Sequence, residues 1–340
     1  MESRLDHKFN INLNGDKTAV FDIPKMGKAA IVINEGPGYS VEVTEVPVPE
    51  PAPDQLLLRL NATGICHSDI HFMKNDWKNR KMSQFGVRSP GHEGAGIVVK
   101  IGSDAGDRWK LGDRVGLKPL WNTCGSCELC LGDLEAYCAK SQFTGLLQAG
   151  SYQQYVLSPA RYTTRIPEGV DDFIAAPLMC SGVTVYRALV EARLKPNDWA
   201  VILGAGGGVG IQGIQLAKAM GLRPIAVDSG DKKRVLCMAM GAEKYVDFAK
   251  SSDVSKDVVS IADGIGAHGV FVIAPQAYHI AIDVVGKRIG ATICCLGLPP
   301  AGSNPLTISP SLLAHRNLKI TGSLAGSMKD TDETLEFARR

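Results

Sequence analysis

The sequence predicts an α/β chain of two domains, an irregular β-rich domain followed by a doubly wound parallel sheet. Three observations carry this prediction. At 340 residues the chain exceeds the size at which a single core stops growing. From Ala29 to about Pro167, short β-rich runs are punctuated by Gly, Pro and Asp. From about Thr184 the pattern changes, and apolar strand-like runs alternate with helix-like segments.

The β-rich runs of the first part include Val41 to Val46, Gln55 to Leu60, Gly96 to Ile101 and Tyr152 to Leu157. The second part offers Ala200 to Leu203, Ile225 to Val227, Tyr245 to Phe248, Val270 to Ile273, Thr292 to Leu296 and Leu318 to Thr321. Helix-like segments separate them, most clearly Gly210 to Met220 and Lys232 to Met240. Strands joined by crossover helices imply a parallel sheet covered on both faces. No solenoid repeat and no low-complexity tract interrupts this pattern.

Composition narrows the function. With 45% hydrophobic and 21% charged residues, the chain reads as a soluble globular protein. A net charge of +2 with no Lys/Arg block argues against nucleic-acid or membrane-surface binding, so the expected partner is a small molecule. Met1 to Val20 contains Asp6, Asp16 and several Asn without an apolar run, unlike a signal or transit peptide. No stretch reads as a membrane span. A cytoplasmic location follows, and there nine cysteines point to metal ligation rather than disulfides.

The run Ala200 to Leu203 leads into Gly204, Ala205, Gly206, Gly207, Gly208, Val209 and Gly210, and then into a helix that ends at Gly221. Such a turn lets backbone approach a pyrophosphate, which the free N–H groups of the helix N-terminus then bind. The strict G-x-G-x-x-G spacing is not met, because the frame ending at Gly210 begins at Ala205. Context supports the reading all the same: Asp228 closes the next strand, 18 residues beyond Gly210. A carboxylate there accepts from ribose hydroxyls and repels a 2′-phosphate, which favours NAD over NADP. Lys233 is a further candidate for cofactor contact.

Cys124, Cys127, Cys130 and Cys138 place four thiols in one short segment. A closed Cys₄ set suits a structural zinc. An iron–sulfur cluster and a nucleic-acid-gripping zinc ribbon are the alternatives, weakened by the position of Cys138 and by the neutral charge balance. Cys66, His92 and Cys180 are three further candidates, forming a Cys₂His set that leaves a coordination position for water or substrate. Cys237, Cys294 and Cys295 read as core residues, and His268, His279 and His315 as structural or surface residues.

Taken together, these motifs resemble the zinc-containing medium-chain alcohol dehydrogenases, in particular the tetrameric microbial branch, from about Gly27 to the last residue. The resemblance implies a GroES-like catalytic domain and a Rossmann domain. Its boundaries would be an N-terminal extension over 1–27, a zinc-binding catalytic domain over 28–183, an NAD-binding domain over 184–320, and over 321–340 the start of a return to the catalytic domain. It also implies a homo-oligomer, tetramer or dimer. Cys66, His92 and Cys180 would bind a catalytic zinc, with Glu93 able to replace water beside it and Asp69 orienting His92. Cys124, Cys127, Cys130 and Cys138 would hold the structural zinc. Ser68 would hydrogen-bond the substrate alcohol, His71 would be the solvent-side end of the proton relay through the cofactor ribose, and His67 would face the pyrophosphate. Thr184 would lie beside the nicotinamide, while Trp77, Trp121 and Leu298 would line the alcohol pocket.

The implied reaction is reversible hydride transfer from a primary or secondary alcohol to NAD⁺, with zinc as Lewis acid. Two other readings stand beside it. One is a pathway-specific reductase for a bulky secondary metabolite, because Lys74 to Ser89 departs from the usual pocket loop. The other is a non-catalytic zinc protein on the same scaffold. Relatives continue past the point matching Arg340, where Thr331 to Arg340 reads as the start of a helix carrying Leu335 and Phe337, which leads to an expectation of lower stability, weaker NAD(H) binding and an apolar surface either exposed or differently packed.

Overall fold

The computed structural model describes residues 12–13, 19–78, 80–303 and 306–340. The remainder of the expected N-terminal extension, residues 1–11 and 14–18, lies outside the described residues. The chain divides into two compact units that join between Met179 and Cys180.

In the first unit β1 (Asn12–Leu13) pairs with β2 (Ala19–Val20), and β3 (Met26–Ile33) forms an antiparallel pair with β4 (Ser40–Pro47). The remaining strands are β5 (Gln55–Thr63), β6 (Gly94–Ile101), β7 (Arg114–Leu117), β8 (Leu120–Asn122), β9 (Gln142–Phe143), β10 (Tyr155–Pro159) and β11 (Thr164–Arg165). A five-stranded antiparallel sheet runs in the order β10-β5-β6-β7-β11, and β8 pairs with β9. Leu56, Leu58, Val98, Val115, Leu117 and Val156 fill the core on this sheet. Helices α1 (His67–Lys74), α2 (Glu128–Leu131) and α3 (Asp172–Pro177) complete the unit. The run expected over Tyr152 to Leu157 enters the sheet only at Tyr155. Tyr152 instead donates its N–H to Pro90 O at 3.0 Å and its carbonyl accepts from Ala30 N–H at 2.7 Å.

The second unit is built on β12 (Trp199–Leu203), β13 (Arg223–Asp228), β14 (Lys244–Asp247), β15 (Gly269–Val272), β16 (Thr292–Cys295) and β17 (Lys319–Gly322). All neighbours are parallel, in the order β14-β13-β12-β15-β16-β17. The order reverses at β12, the switch point beside which doubly wound sheets bind ligands. Every residue of β12 is buried, because one core cluster covers each face of the sheet. Ile202→Ala would cost roughly 2–5 kcal/mol through lost burial and a cavity.

Helices α4 (Val183–Ala192), α5 (Gly208–Ala219), α6 (Asp231–Ala239), α7 (Val254–Ile261), α8 (Pro310–Arg316) and α9 (Met328–Arg339) accompany this sheet. The connection from β15 to β16 departs from the expected crossover helix, with two 3₁₀ segments, Pro275–Ile280 and Asp283–Val285, in its place. At the C-terminal end α9 begins at Met328, where Ser327 and Asp330 form a capping box. Leu335 is fully buried and Phe337 packs on Tyr186 at 5.8 Å between ring centroids, so these two side chains are packed within their own unit.

One sequence reading needs a further correction. The helical run Asp172–Ala192 has a mean hydropathy of 1.6 over its apolar window, which by length and composition is enough to cross a membrane. Burial accounts for its apolarity, since 61% of that window lies inside the fold.

Candidate functional site

Two groups of ligand-bearing side chains converge among the described residues, and each uses the local backbone differently. In the first, the ligand atoms of Cys66, His92, Glu93 and Cys180 all lie within 4.8 Å of one another. Cys66 is the N-cap of α1, with φ −90° and ψ 143°. His92 and Glu93 immediately precede β6 and are almost fully buried. Cys180 directly follows the last residue of the first unit, on a π-helical turn (Leu178–Gly182) that continues α3. Pro177 supplies no N–H to the helical ladder, and a widened turn follows it.

Three glycines make room for this group. A Cβ on Gly64 would sit 1.9 Å from Glu93 Oε2, and one on Gly116 would sit 2.1 Å from Met179 Sδ, beside Cys180. Gly91 has φ +98°, and a Cβ there would also strike Ser151 Oγ at 2.5 Å.

Asp69 orients the histidine. Its Oδ1 lies 2.9 Å from His92 Nδ1 and accepts from Gly91 N–H at 3.0 Å, while Oδ2 accepts from the Tyr152 hydroxyl at 2.9 Å. Burial alone would push the Asp69 carboxyl up, but His92 and these donors outweigh it and hold the group below its ordinary value. Burial likewise disfavours a charged His92, yet the Asp69 carboxylate raises its pKa well above the usual imidazole value. Nδ1 is therefore committed to Asp69 and Nε2 is the nitrogen left to ligate. Two sulfurs and one imidazole nitrogen, with a carboxylate at the fourth corner, suit zinc, and this donor set fits a catalytic ion.

Helix α1 also carries the candidate relay. Ser68 and His71 are three residues apart and so share a face. His71 is 7% exposed, with its Nδ1 at 2.6 Å from Asp76 Oδ1. Asn75, in the left-handed conformation at φ 51°, caps the helix and reverses the chain, which brings Asp76 and Trp77 back onto His71. The Trp77 ring stacks on the imidazole with centroids 4.4 Å apart and planes 21° apart, and it also meets the Phe72 ring at a steep angle, 5.5 Å between centroids. His67 is exposed and meets His71 edge-on at 4.8 Å.

The second group is the cysteine lobe. The Cys124–Cys130, Cys127–Cys130 and Cys124–Cys138 sulfur separations are 3.8, 3.5 and 3.6 Å. Zinc–sulfur bonds of about 2.3 Å in a tetrahedron require sulfurs about 3.8 Å apart, so the lobe fits a closed zinc site. The backbone N–H groups of Ser126 and Cys127 hold the Cys124 thiol down at about 5. Cys127 is pulled down by the Cys130 N–H, but sharing protons with the Cys124 and Cys130 sulfurs pushes it up to about 11. Four thiols that already share protons are poised to exchange them for a cation. All nine cysteines are free of disulfides.

In the second unit Gly204 to Gly210 form the turn between β12 and α5. Gly207 is the helix N-cap, and a Cβ on Gly210 would lie 2.4 Å from Ala205 O. Gly208 and Val209 open the helix, while Gly206 packs under Lys233. Asp228 ends β13 and is 4% exposed. Its Oδ2 accepts from Gly206 N–H at 2.8 Å, and its Oδ1 accepts from Ser229 N–H at 2.8 Å and Lys233 Nζ at 2.7 Å. The strand end and the glycine turn are thereby fixed to each other.

Thr184 lies in α4, where its carbonyl accepts from Ser323 Oγ. Trp121 is buried in β8, and Leu298 is 43% exposed beyond β16. Sequence reasoning missed Asp76 and Tyr152. Asp76 is five residues from its partner but beyond a helix cap, and Tyr152 lies 83 residues from Asp69, with no local signal to connect them.

Comparisons with known proteins place the chain in a family. The alcohol dehydrogenase GroES-like domain matches residues 52–168, and the zinc-binding dehydrogenase domain matches residues 208–340. The alcohol dehydrogenase of Schizosaccharomyces pombe is 40% identical over 321 residues, covering 94% of this chain and 89% of its own. Alcohol dehydrogenase 1 of Emericella nidulans is 40% identical over 322 residues with the same coverage. A solved NAD-dependent alcohol dehydrogenase shares the fold with a TM-score of 0.81 at 26% identity, covering 92% of this chain and 89% of that one. With two domain matches and relatives of this identity along nearly its whole length, the chain belongs to the zinc-binding alcohol dehydrogenase family.

Proposed function

We propose that this protein interconverts primary or secondary alcohols and their aldehydes or ketones with NAD(H), using one catalytic and one structural zinc. The observation that carries the reading is the convergence of Cys66, His92, Glu93 and Cys180 within 4.8 Å. Bound zinc supplies Lewis acidity toward the substrate oxygen, and bound NAD⁺ supplies the hydride acceptor. Asp69 keeps His92 in its ligating tautomer, and Glu93 stands by as an exchangeable fourth donor. Ser68 takes up the alcohol proton and passes it toward His71. The family resemblance supports roles for His67 and for the turn Gly204 to Gly210 toward the pyrophosphate, for Asp228 and Lys233 toward the ribose, and for Thr184 toward the nicotinamide. Trp121 and Leu298 line the alcohol pocket. Trp77 is assigned to the same pocket, with its ring stacked on His71.

A steady-state panel of alcohols and carbonyl compounds of increasing size, with NAD(H) and NADP(H), tests the reading. Turnover with NAD(H) supports it, and no turnover by the zinc-loaded protein would leave the non-catalytic reading. The panel also separates small alcohols from bulky ones, a distinction to which the segment 74–89 bears. A cytoplasmic location is supported by the nine free cysteines. Assembly as a homo-oligomer is supported by β17, an exposed sheet edge that carries Ile320 at 38% exposure.

A further inference from the structure

We infer that Asp76 is a positioning residue for proton transfer, fixing His71 in the tautomer that carries its proton on Nδ1. The inference rests on the functional reading above for what His71 does, while the contact itself stands on geometry. Asp76 Oδ1 is 2.6 Å from His71 Nδ1, a hydrogen-bond distance at the short end of the range. Trp77 stacked on the ring and His67 set against it at a steep angle leave the imidazole little rotational freedom. Among the described contacts of this ring, Asp76 and His67 are the titratable groups against it.

A neutral imidazole carries one proton, and whichever nitrogen holds it cannot accept another. With Asp76 accepting from Nδ1–H, Nε2 keeps its lone pair for the proton that leaves the alcohol hydroxyl by way of Ser68. With NAD⁺ bound as the hydride acceptor, the C–H electron pair would leave with the hydride, so the balance would be one NADH and one proton held on His71. Asp76 stabilises the resulting imidazolium as a counter-charge. The Asp76 side chain is 30% exposed, whereas that of His71 is 9% exposed, so the counter-charge is the more solvated member of the pair. A His71–Asp76 pair thus plays toward the relay the part that a carboxylate plays behind a general-base histidine.

The test uses the zinc-loaded protein with ¹⁵N-labelled histidine. In the wild type at alkaline pH, His71 should show the Nδ1–H tautomer. In Asp76→Asn it should shift toward Nε2–H, because the amide can donate to Nδ1. Alcohol oxidation by Asp76→Asn and Asp76→Ala should fall on the order of 10- to 100-fold in kcat near pH 7 and recover in alkaline buffer, where hydroxide takes the proton. KM for NAD⁺ and zinc content should stay unchanged, and Asp76→Glu should regain part of the rate. Unchanged ¹⁵N shifts in Asp76→Asn, or wild-type kcat at every pH, would overturn the inference. If the wild type oxidises no alcohol with NAD⁺, the functional reading fails instead, and the tautomer measurement alone decides the role of Asp76.

Discussion

The Tyr152 hydroxyl donates to Asp69 Oδ2 at 2.9 Å, occupying the one carboxylate oxygen that His92 and Gly91 leave open. Burial and the nearby Asp69 charge push the Tyr152 pKa up, so the phenol remains a donor at every physiological pH. Tyr152→Phe should therefore leave a buried oxygen without a donor, at a cost of roughly 1–3 kcal/mol. Affinity for the catalytic zinc should fall about 10-fold while the cysteine lobe keeps its ion. Competitive chelation of both proteins checks this, and equal affinities would mean that Asp69 needs no third donor.

Asp69 itself gives a pH-dependent outcome. A carboxyl whose pKa is depressed on folding contributes stability that is fully present above its ordinary value of 3.8 and is lost as pH falls through the folded value. Asp69→Asn should lower the unfolding free energy at pH 7. The gap from the wild type should close only below about pH 4. Denaturant titrations at a series of pH values measure the gap, and one that closes between pH 5 and 7 would point to another group.

Metal analysis should return two zinc ions per chain. Cys66→Ala should lose one and keep the other, since the two ligand groups share no residue. One ion in the wild type, or an iron–sulfur absorbance, would contradict the assignment of the Cys124 to Cys138 lobe.

Gly116→Ala reports on the helix that carries Cys180. The new methyl would meet Met179 within 2.1 Å, and Met179 is fully buried with nowhere easy to go. Overpacking should cost about 1–3 kcal/mol. Zinc should become more labile at the site containing Cys180 and unchanged in the cysteine lobe, as measured by release to a chromogenic chelator. Equal lability at both sites would show that the strain is absorbed elsewhere.

Asp228→Ser should narrow the preference for NAD(H) over NADP(H) by about 10-fold or more, because the carboxylate that repels a 2′-phosphate is gone. It should also lower Tm, since Gly206 N–H and Lys233 lose their acceptor. Unchanged cofactor preference together with a lowered Tm would make Asp228 a strut of the glycine turn only.

The sequence by itself determined the strands of the second unit, because fully buried parallel strands such as Trp199–Leu203 must be continuous apolar runs. It also determined the cysteine lobe, whose four ligands fall within 15 consecutive residues and need only a local turn to converge. The Cys66, His92 and Cys180 set was legible through its flanking motifs, not through any spacing. Only the tertiary structure decided what surrounds those ligands. Tyr152 reaches Asp69 across 83 residues, and Asp76 reaches His71 because a left-handed Asn75 turns the chain back. It also replaced the expected crossover helix after β15 with 3₁₀ turns, and it buried an apolar helical run long enough to cross a membrane. Periodicity records which face of an element is apolar, and a motif records ligand types. Neither records which distant donor completes a buried carboxylate, since that depends on where the folded backbone brings two segments together.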